Sequence, residues 1–65
     1  SEEDLTQIKG IGPKMAEKLY EQGIKNLNQL AEMNAKFAEE LDEALRAQGR
    51  VLREDWIGQA KRLRG

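Results

Sequence analysis

The stretch Leu5-Thr6-Gln7-Ile8-Lys9-Gly10-Ile11-Gly12-Pro13-Lys14-Met15-Ala16-Glu17-Lys18-Leu19 decides the fold of this 65-residue chain. Its centre, Gly10-Ile11-Gly12-Pro13, reads as a tight turn between two helices. Glycine at 10 and 12 admits positive φ and keeps side chains out of the turn. Proline at 13 suits the first position of a helix, because the N–H it lacks would be unpaired there anyway. Met15, Ala16, Leu19 and Tyr20 then fall on one face of a helix over residues 13–22, and Gly23 stands where a helix-ending glycine belongs. Upstream, Ser1-Glu2-Glu3-Asp4 has the form of a capping box, which predicts a short first helix turning Leu5 and Ile8 inward and stopping at Gly10. Ile11 is expected to point into the core from the tip of the turn, and Ala16 to be small where two helices cross.

Working outward, Asn26-Leu27-Asn28-Gln29 repeats the capping form and predicts a linking helix over 27–33 with Leu27, Leu30 and Ala31 turned inward. Asn34 caps a longer helix whose apolar stripe is Phe37, Leu41, Ala44, Leu45 and Gln48, ending at Gly49. A last helix over 53–63 directs Trp56, Ile57, Ala60 and Leu63 to the core and sends Lys61, Arg62 and Arg64 to its C-terminal end, where cations complement the helix dipole. No segment alternates at period two, so no strand is expected. The predicted fold is all-α, five short helices in one domain, centred on Leu19, Phe37, Leu41 and Trp56. A domain of this size buries only roughly 60% of its unfolded surface, so the single Trp and Phe are both needed inside. Tyr20 is placed at the core edge with its hydroxyl in water.

The chain has no Cys and no His, which excludes thiolate nucleophiles, imidazole bases, disulfides and ordinary zinc sites. Apolar runs never exceed two residues, too short for a membrane span or signal-peptide core, and a soluble, cytoplasmic protein is expected. Eleven bases stand against twelve acids for a net charge of −1, a balance that by itself argues against a nucleic-acid partner. Their distribution argues differently: residues 9–25 and 46–65 are net positive, residues 1–8 and 26–45 net negative.

The positive stretch 9–25 contains the glycine turn. Gly12-Pro13-Lys14-Met15 presents the unpaired N–H groups of a helix start, a natural anion site. Lys9, Lys14 and Lys18 flank that corner, so backbone donors and cations are positioned to converge on one phosphate group. The same glycines also suit a sharp helix connection and nothing more. Glu39, Glu40, Asp42 and Glu43 lie opposite the apolar stripe and read as a solvated face, with no magnesium site or catalytic carboxylate pair. A thin helical domain leaves little room for a catalytic cleft, so neither enzymatic activity nor a cofactor is expected.

The pattern from Leu5 to Leu19 resembles the helix-hairpin-helix motif, a Gly-hydrophobic-Gly hairpin followed four positions on by a small residue. With Leu27, Leu30, Leu41-Asp42-Glu43-Ala44-Leu45, Gly49-Arg50-Val51 and Trp56-Ile57-Gly58-Gln59-Ala60-Lys61, the chain is similar to a bacterial group of flap-nuclease-like helix-hairpin-helix domains, often appended to ribosomal or respiratory-complex proteins. That resemblance implies a tandem, SAM-like architecture with a first hairpin over 5–22, a linking helix over 27–33 and a second hairpin over 35–64. The second is degenerate: an offset of 44 aligns Ala16 with Ala60 and Leu19 with Leu63, but sets Glu54, Asp55 and Trp56 at Gly10, Ile11 and Gly12. Gly49-Arg50-Val51 is expected to supply a different turn.

The resemblance further implies sequence-independent binding to the phosphate backbone of duplex DNA. With one intact hairpin and a net charge of −1 that binding is expected to be weak, and a monomer is expected. The implied contacts are Lys9, Gly10, Ile11, Gly12, Lys14, Met15 and Lys18, supported by Arg46, Arg50 and Arg53. It also implies a monovalent cation at the carbonyls of Thr6, Ile8 and Ile11. Two alternatives stand beside DNA: a SAM-like protein-interaction module and a binder of structural RNA, since a phosphate-binding corner does not distinguish riboses. A continuous positive patch joining Gly10–Lys14 to Arg50 favours nucleic acid, whereas an exposed apolar groove favours a protein partner.

Overall fold

The computed structural model describes residues 3–65 and contains five α-helices and one 3₁₀ turn, with no strand among them. Ser1 of the expected capping box lies outside the described residues. Asp4 performs the capping, its carboxylate accepting the Thr6 N–H at 3.0 Å. The capped segment is a single 3₁₀ turn, Leu5–Gln7, and not the expected helix. At three residues per turn, this geometry sets Leu5 and Ile8 on one side within the short span before Gly10, and both are fully buried. Ile8 is then extended and Gly10 turns at φ 105°. The Ile11 N–H donates back to the Ile8 carbonyl at 3.0 Å, which draws Ile11 into the core.

Helix α1, Pro13–Glu21, starts at Pro13 and ends in a Schellman arrangement. The Gly23 N–H donates to Tyr20 O at 3.0 Å and the Ile24 N–H to Leu19 O at 2.9 Å, with Gly23 at φ 87°. Asn26 caps α2, Leu27–Ala31, and Asn34 caps α3, Ala35–Leu45, each accepting the N–H three residues ahead. Arg46, in the left-handed region, ends α3 before the expected Gly49. A separate single turn, α4 (Arg50–Arg53), begins just after Gly49. Asp55 then caps α5, Trp56–Arg64, which begins three residues later than the sequence suggested.

Helix α5 lies chiefly against α2, while α3 packs on α4 and α1. Trp56 is at the centre with Leu5, Ile8, Leu19, Leu30, Leu45 and Val51, and none of the described polar residues is buried. Four expected core positions are exposed instead. Phe37 is 47% exposed, because the inner face of α3 is Ala38, Leu41 and Leu45. Those positions keep the i, i+3, i+7 spacing of a helix face, and Ala44 and Gln48 turn outward with Phe37. Leu63, in the last turn of α5, is 45% exposed: the 44-residue offset reproduces the burial of Ala16 at Ala60 but not that of Leu19. The Tyr20 hydroxyl is not left to water but donates to Glu3 O at 2.8 Å, tying the N-terminal segment to α1.

Candidate phosphate-binding site

The start of α1 is the feature around which charge collects. Gly12 is its N-cap, at φ −91° and ψ −178°, and supplies no side-chain acceptor. Among the described residues, no protein acceptor meets the N–H groups of Gly12, Lys14 or Met15. By contrast α2, α3 and α5 are each capped by a side chain. The extended backbone at Gly12 is open to any residue, and a Cβ built there meets nothing within 4 Å. Folding therefore places no steric demand for glycine at this position. Gly10 is the opposite case: at φ 105°, a Cβ would run into the Glu54 carboxylate and press on the Trp56 indole.

Gly10, Gly12, Pro13, Lys14, Met15 and Lys18 line an open concavity of about 460 Å³, together with Arg50 from the start of α4. Donors from the first hairpin and a guanidinium distant in sequence thus face one space. Lys18 also lines a second concavity of about 300 Å³, together with Glu21 and Arg46. The other expected contacts lie elsewhere. The side chain of Ile11 is buried and its N–H is taken by Ile8. Arg53 folds back, donating to Gln48 O at 3.0 Å. Lys9 is exposed beside the concavity but does not line it. Of the carbonyls expected to hold a monovalent cation, that of Ile8 accepts the Ile11 N–H, and those of Thr6 and Ile11 accept no bond from the described residues.

Two residues that position this corner were not singled out from the sequence. The Gln59 amide accepts the Lys9 N–H at 2.9 Å and donates to Lys9 O at 3.1 Å and to Glu54 O at 2.9 Å. It ties the first hairpin to the end of α4, and so to the element that carries Arg50. Glu54 in turn accepts the Trp56 indole N–H at 3.2 Å. The second residue is Asp42, expected on the solvated face with Glu39 and Glu43. It is half-buried, and its two carboxylate oxygens accept the N–H groups of Gly49 at 2.8 Å and Val51 at 3.0 Å. A long-range amide contact leaves no local signature, and Asp42 shares its spacing with the acids around it. No cluster of three or more potential metal-ligating side chains occurs among the described residues, and none of the described helices is long and apolar enough to cross a membrane.

Two carboxylates titrate below their ordinary range. The Thr6 hydroxyl and N–H lower Asp4, and the hydrogen bond and charge of Arg64 lower Glu32. Arg64 donates to Glu32 at 2.7 Å and to Asn28 at 2.8 Å, so its charge is committed to α2.

The chain belongs to the RS2/RL21/YNQ2 HHH domain family, whose pattern matches residues 5–64. It is 37% identical over 59 residues to the small ribosomal subunit protein uS2 of Methylobacterium sp. (strain 4-46), a match covering 91% of this chain and 17% of that protein. It is 39% identical over 61 residues to the large ribosomal subunit protein bL21 of Roseobacter denitrificans, covering 94% and 28%. It is 40% identical over 62 residues to an uncharacterized 22.9 kDa protein in the nqo2 3′ region of Paracoccus denitrificans, covering 94% and 29%. The chain thus spans less than a third of each of these relatives. No solved structure matches it.

Proposed function

We propose that this helix-hairpin-helix chain is a non-catalytic module that binds the sugar-phosphate backbone of duplex DNA without reading base sequence. The observation that carries the reading is Gly12. Its missing side chain is required neither by its backbone angles nor by its neighbours, yet it leaves free the N–H groups at a helix start beside Lys14, Lys18 and Arg50. A phosphate oxygen fits that arrangement because oriented backbone donors and the helix dipole both favour an anion, and the nearby cations add charge-assisted hydrogen bonds. Such contacts fix the position of a duplex without specifying its sequence. Two of the relatives are ribosomal proteins by name, which favours a second reading in which the duplex is RNA.

The test is a ¹⁵N-resolved NMR titration with a short DNA duplex and, separately, an RNA duplex. The expected result is a set of shifts at Gly10, Gly12, Lys14, Met15, Lys18 and Arg50. The dissociation constant should fall in the non-specific range of about 10⁻⁴ to 10⁻⁶ M at physiological salt, indifferent to scrambling of the sequence. Tighter binding to RNA than to DNA selects the second reading. No shifts from Lys9 to Met15 with either duplex refutes both and leaves a protein partner as the better account.

A further inference from the structure

The C-terminal end of α5 carries three bases that the first hairpin does not account for, and their surroundings separate them. Arg64 is bonded to Glu32 and Asn28 of α2. Lys61 also lies toward Glu32, on whose titration its charge acts. Arg62 is exposed and makes no hydrogen bond or ion pair among the described residues. Its place on the helix is fixed by Gln59, whose side-chain amide is bonded in both directions to the Lys9 backbone. Residues three apart on a helix are neighbours on one face. Arg62 therefore stands one turn beyond the point where α5 meets Lys9, on the side away from α2.

Two acids near the start of α5 keep their charge but are held in place by neutral donors, and neither pairs with Lys9 or Arg62 among the described residues. Asp55 holds the Gly58 N–H at the far end of α5, and Glu54 accepts the Trp56 indole N–H. Lys9 directly precedes Gly10, which lines the concavity at the start of α1. A line of positive charge thus leaves the concavity through Lys9 and continues to Arg62.

We infer that Lys9 and Arg62 form a second phosphate contact, so that the nucleic-acid backbone held at Gly12 continues past Lys9 and along the outer face of α5. The inference rests on the nucleic-acid reading of the first hairpin and extends its footprint to a helix outside that hairpin. Each phosphate neutralised by a cation contributes about 0.9 to the slope of log K against log salt on duplex DNA.

The experiment measures this slope on one short DNA duplex, and on its RNA counterpart, for the parent protein, Arg62→Ala, Arg64→Ala and Lys14→Ala. Circular dichroism first establishes that each variant is folded. Arg62→Ala and Lys14→Ala should each reduce the slope by about one, while Arg64→Ala leaves it unchanged. A slope that falls in Lys14→Ala but not in Arg62→Ala overturns the second contact and leaves the hairpin reading intact. Equal reductions in Arg62→Ala and Arg64→Ala overturn it as well, because they indicate diffuse attraction to the whole helix end. Failure of the parent to bind either duplex overturns the hairpin reading and this extension with it.

Discussion

Replacing Gly12 with valine separates the needs of the fold from those of the ligand. On the folding side, glycine is a better N-cap than an aliphatic residue. Ser→Ala at an N-cap costs about 1 kcal/mol and Ser→Gly a few tenths, which sets the loss from glycine to an aliphatic residue at about 0.7 kcal/mol. Against this, a side chain at a compatible backbone position restricts the unfolded chain and returns roughly 0.4–1 kcal/mol. The backbone at Gly12 is compatible, and a Cβ there meets no atom within 4 Å. The two terms nearly cancel, and the urea midpoint of Gly12→Val should stay close to the parent's. On the binding side, an isopropyl group adds bulk at the cap of the helix whose first N–H groups have no protein acceptor among the described residues, and is expected to hinder the approach of a phosphate to at least one of them. A hydrogen bond to a charged group is worth about 1.5–3 kcal/mol, so losing one phosphate bond weakens binding by roughly 10- to 150-fold. No cation is removed, so the salt slope should hold even as affinity falls, whereas Lys14→Ala should lower the slope by about one. Fluorescence anisotropy of a labelled duplex across a salt series reads both quantities. Full affinity in a folded Gly12→Val protein, or a loss no larger than that of Lys18→Ala, would refute the backbone-donor account.

The packing and the caps lead to three other expected outcomes. Trp56→Ala should cost about 3–5 kcal/mol and unfold much of a domain this small, whereas the exposed Phe37 should tolerate alanine within about 0.5 kcal/mol; thermal melts of the two variants test the contrast. Gln59→Met keeps the side-chain length but removes every bond between α5 and Lys9, and should lower stability by about 1–2 kcal/mol in urea titration while weakening duplex binding through the freed hairpin. Acid should destabilise the fold in a defined direction. Asp4 and Glu32 both have lowered folded-state pKa values, so their contributions are present above the ordinary carboxylate range near pH 4 and disappear as pH falls through the lowered values. An Asp4→Asn variant, whose amide oxygen caps at any pH, should show a shallower acid decline; a decline as steep as the parent's would assign the effect to other carboxylates.

Local rules reach as far as the caps and the turn. Asn26 and Asn34 cap the helices they were expected to cap. Gly23 ends α1, Pro13 begins it, and Trp56 is fully buried. Each of these depends on a few consecutive residues or on size. Sequence expectation and structure part where tertiary contact chooses between near-equivalent local answers. Leu41 and Leu45 belong both to a stripe beginning at Phe37 and to one beginning at Ala38, and only packing selects the latter. Helix α3 ends at Arg46 and not at Gly49 because Arg46 and Gln48 adopt left-handed angles without being glycine, at φ 55° and 57°, a conformation that composition does not announce. At the site, the glycine turn and its lysines were legible as a local motif. Arg50 joins Lys14 and Lys18 in one concavity. No local pattern separates it from Arg53, which the structure folds back onto Gln48.

Asp42 accounts for the difference between the starts of α1 and α4 and leads to a last test. Gly12 and Gly49 both cap a helix without a side-chain bond of their own. At Gly49 the N–H of the cap and that of Val51, two residues on, are held by the Asp42 carboxylate. The corresponding pair at the first hairpin, Gly12 and Lys14, faces the concavity with no protein acceptor among the described residues. The start of α4 is therefore held by an anion supplied by the chain, whereas the matching donors at the start of α1 have no protein acceptor among the described residues. Removing the internal anion frees the exposed Gly49 N–H to water but leaves the partly buried Val51 N–H unpaired, at about 1–3 kcal/mol for an unsatisfied group. Asp42→Ala should accordingly lose stability by that order in urea, and where it remains folded it should bind a duplex as tightly as the parent. Lys14→Ala should do the reverse, keeping its stability and losing affinity. A folded Asp42→Ala protein with weakened binding would show that the starts of α1 and α4 do not divide the work in this way.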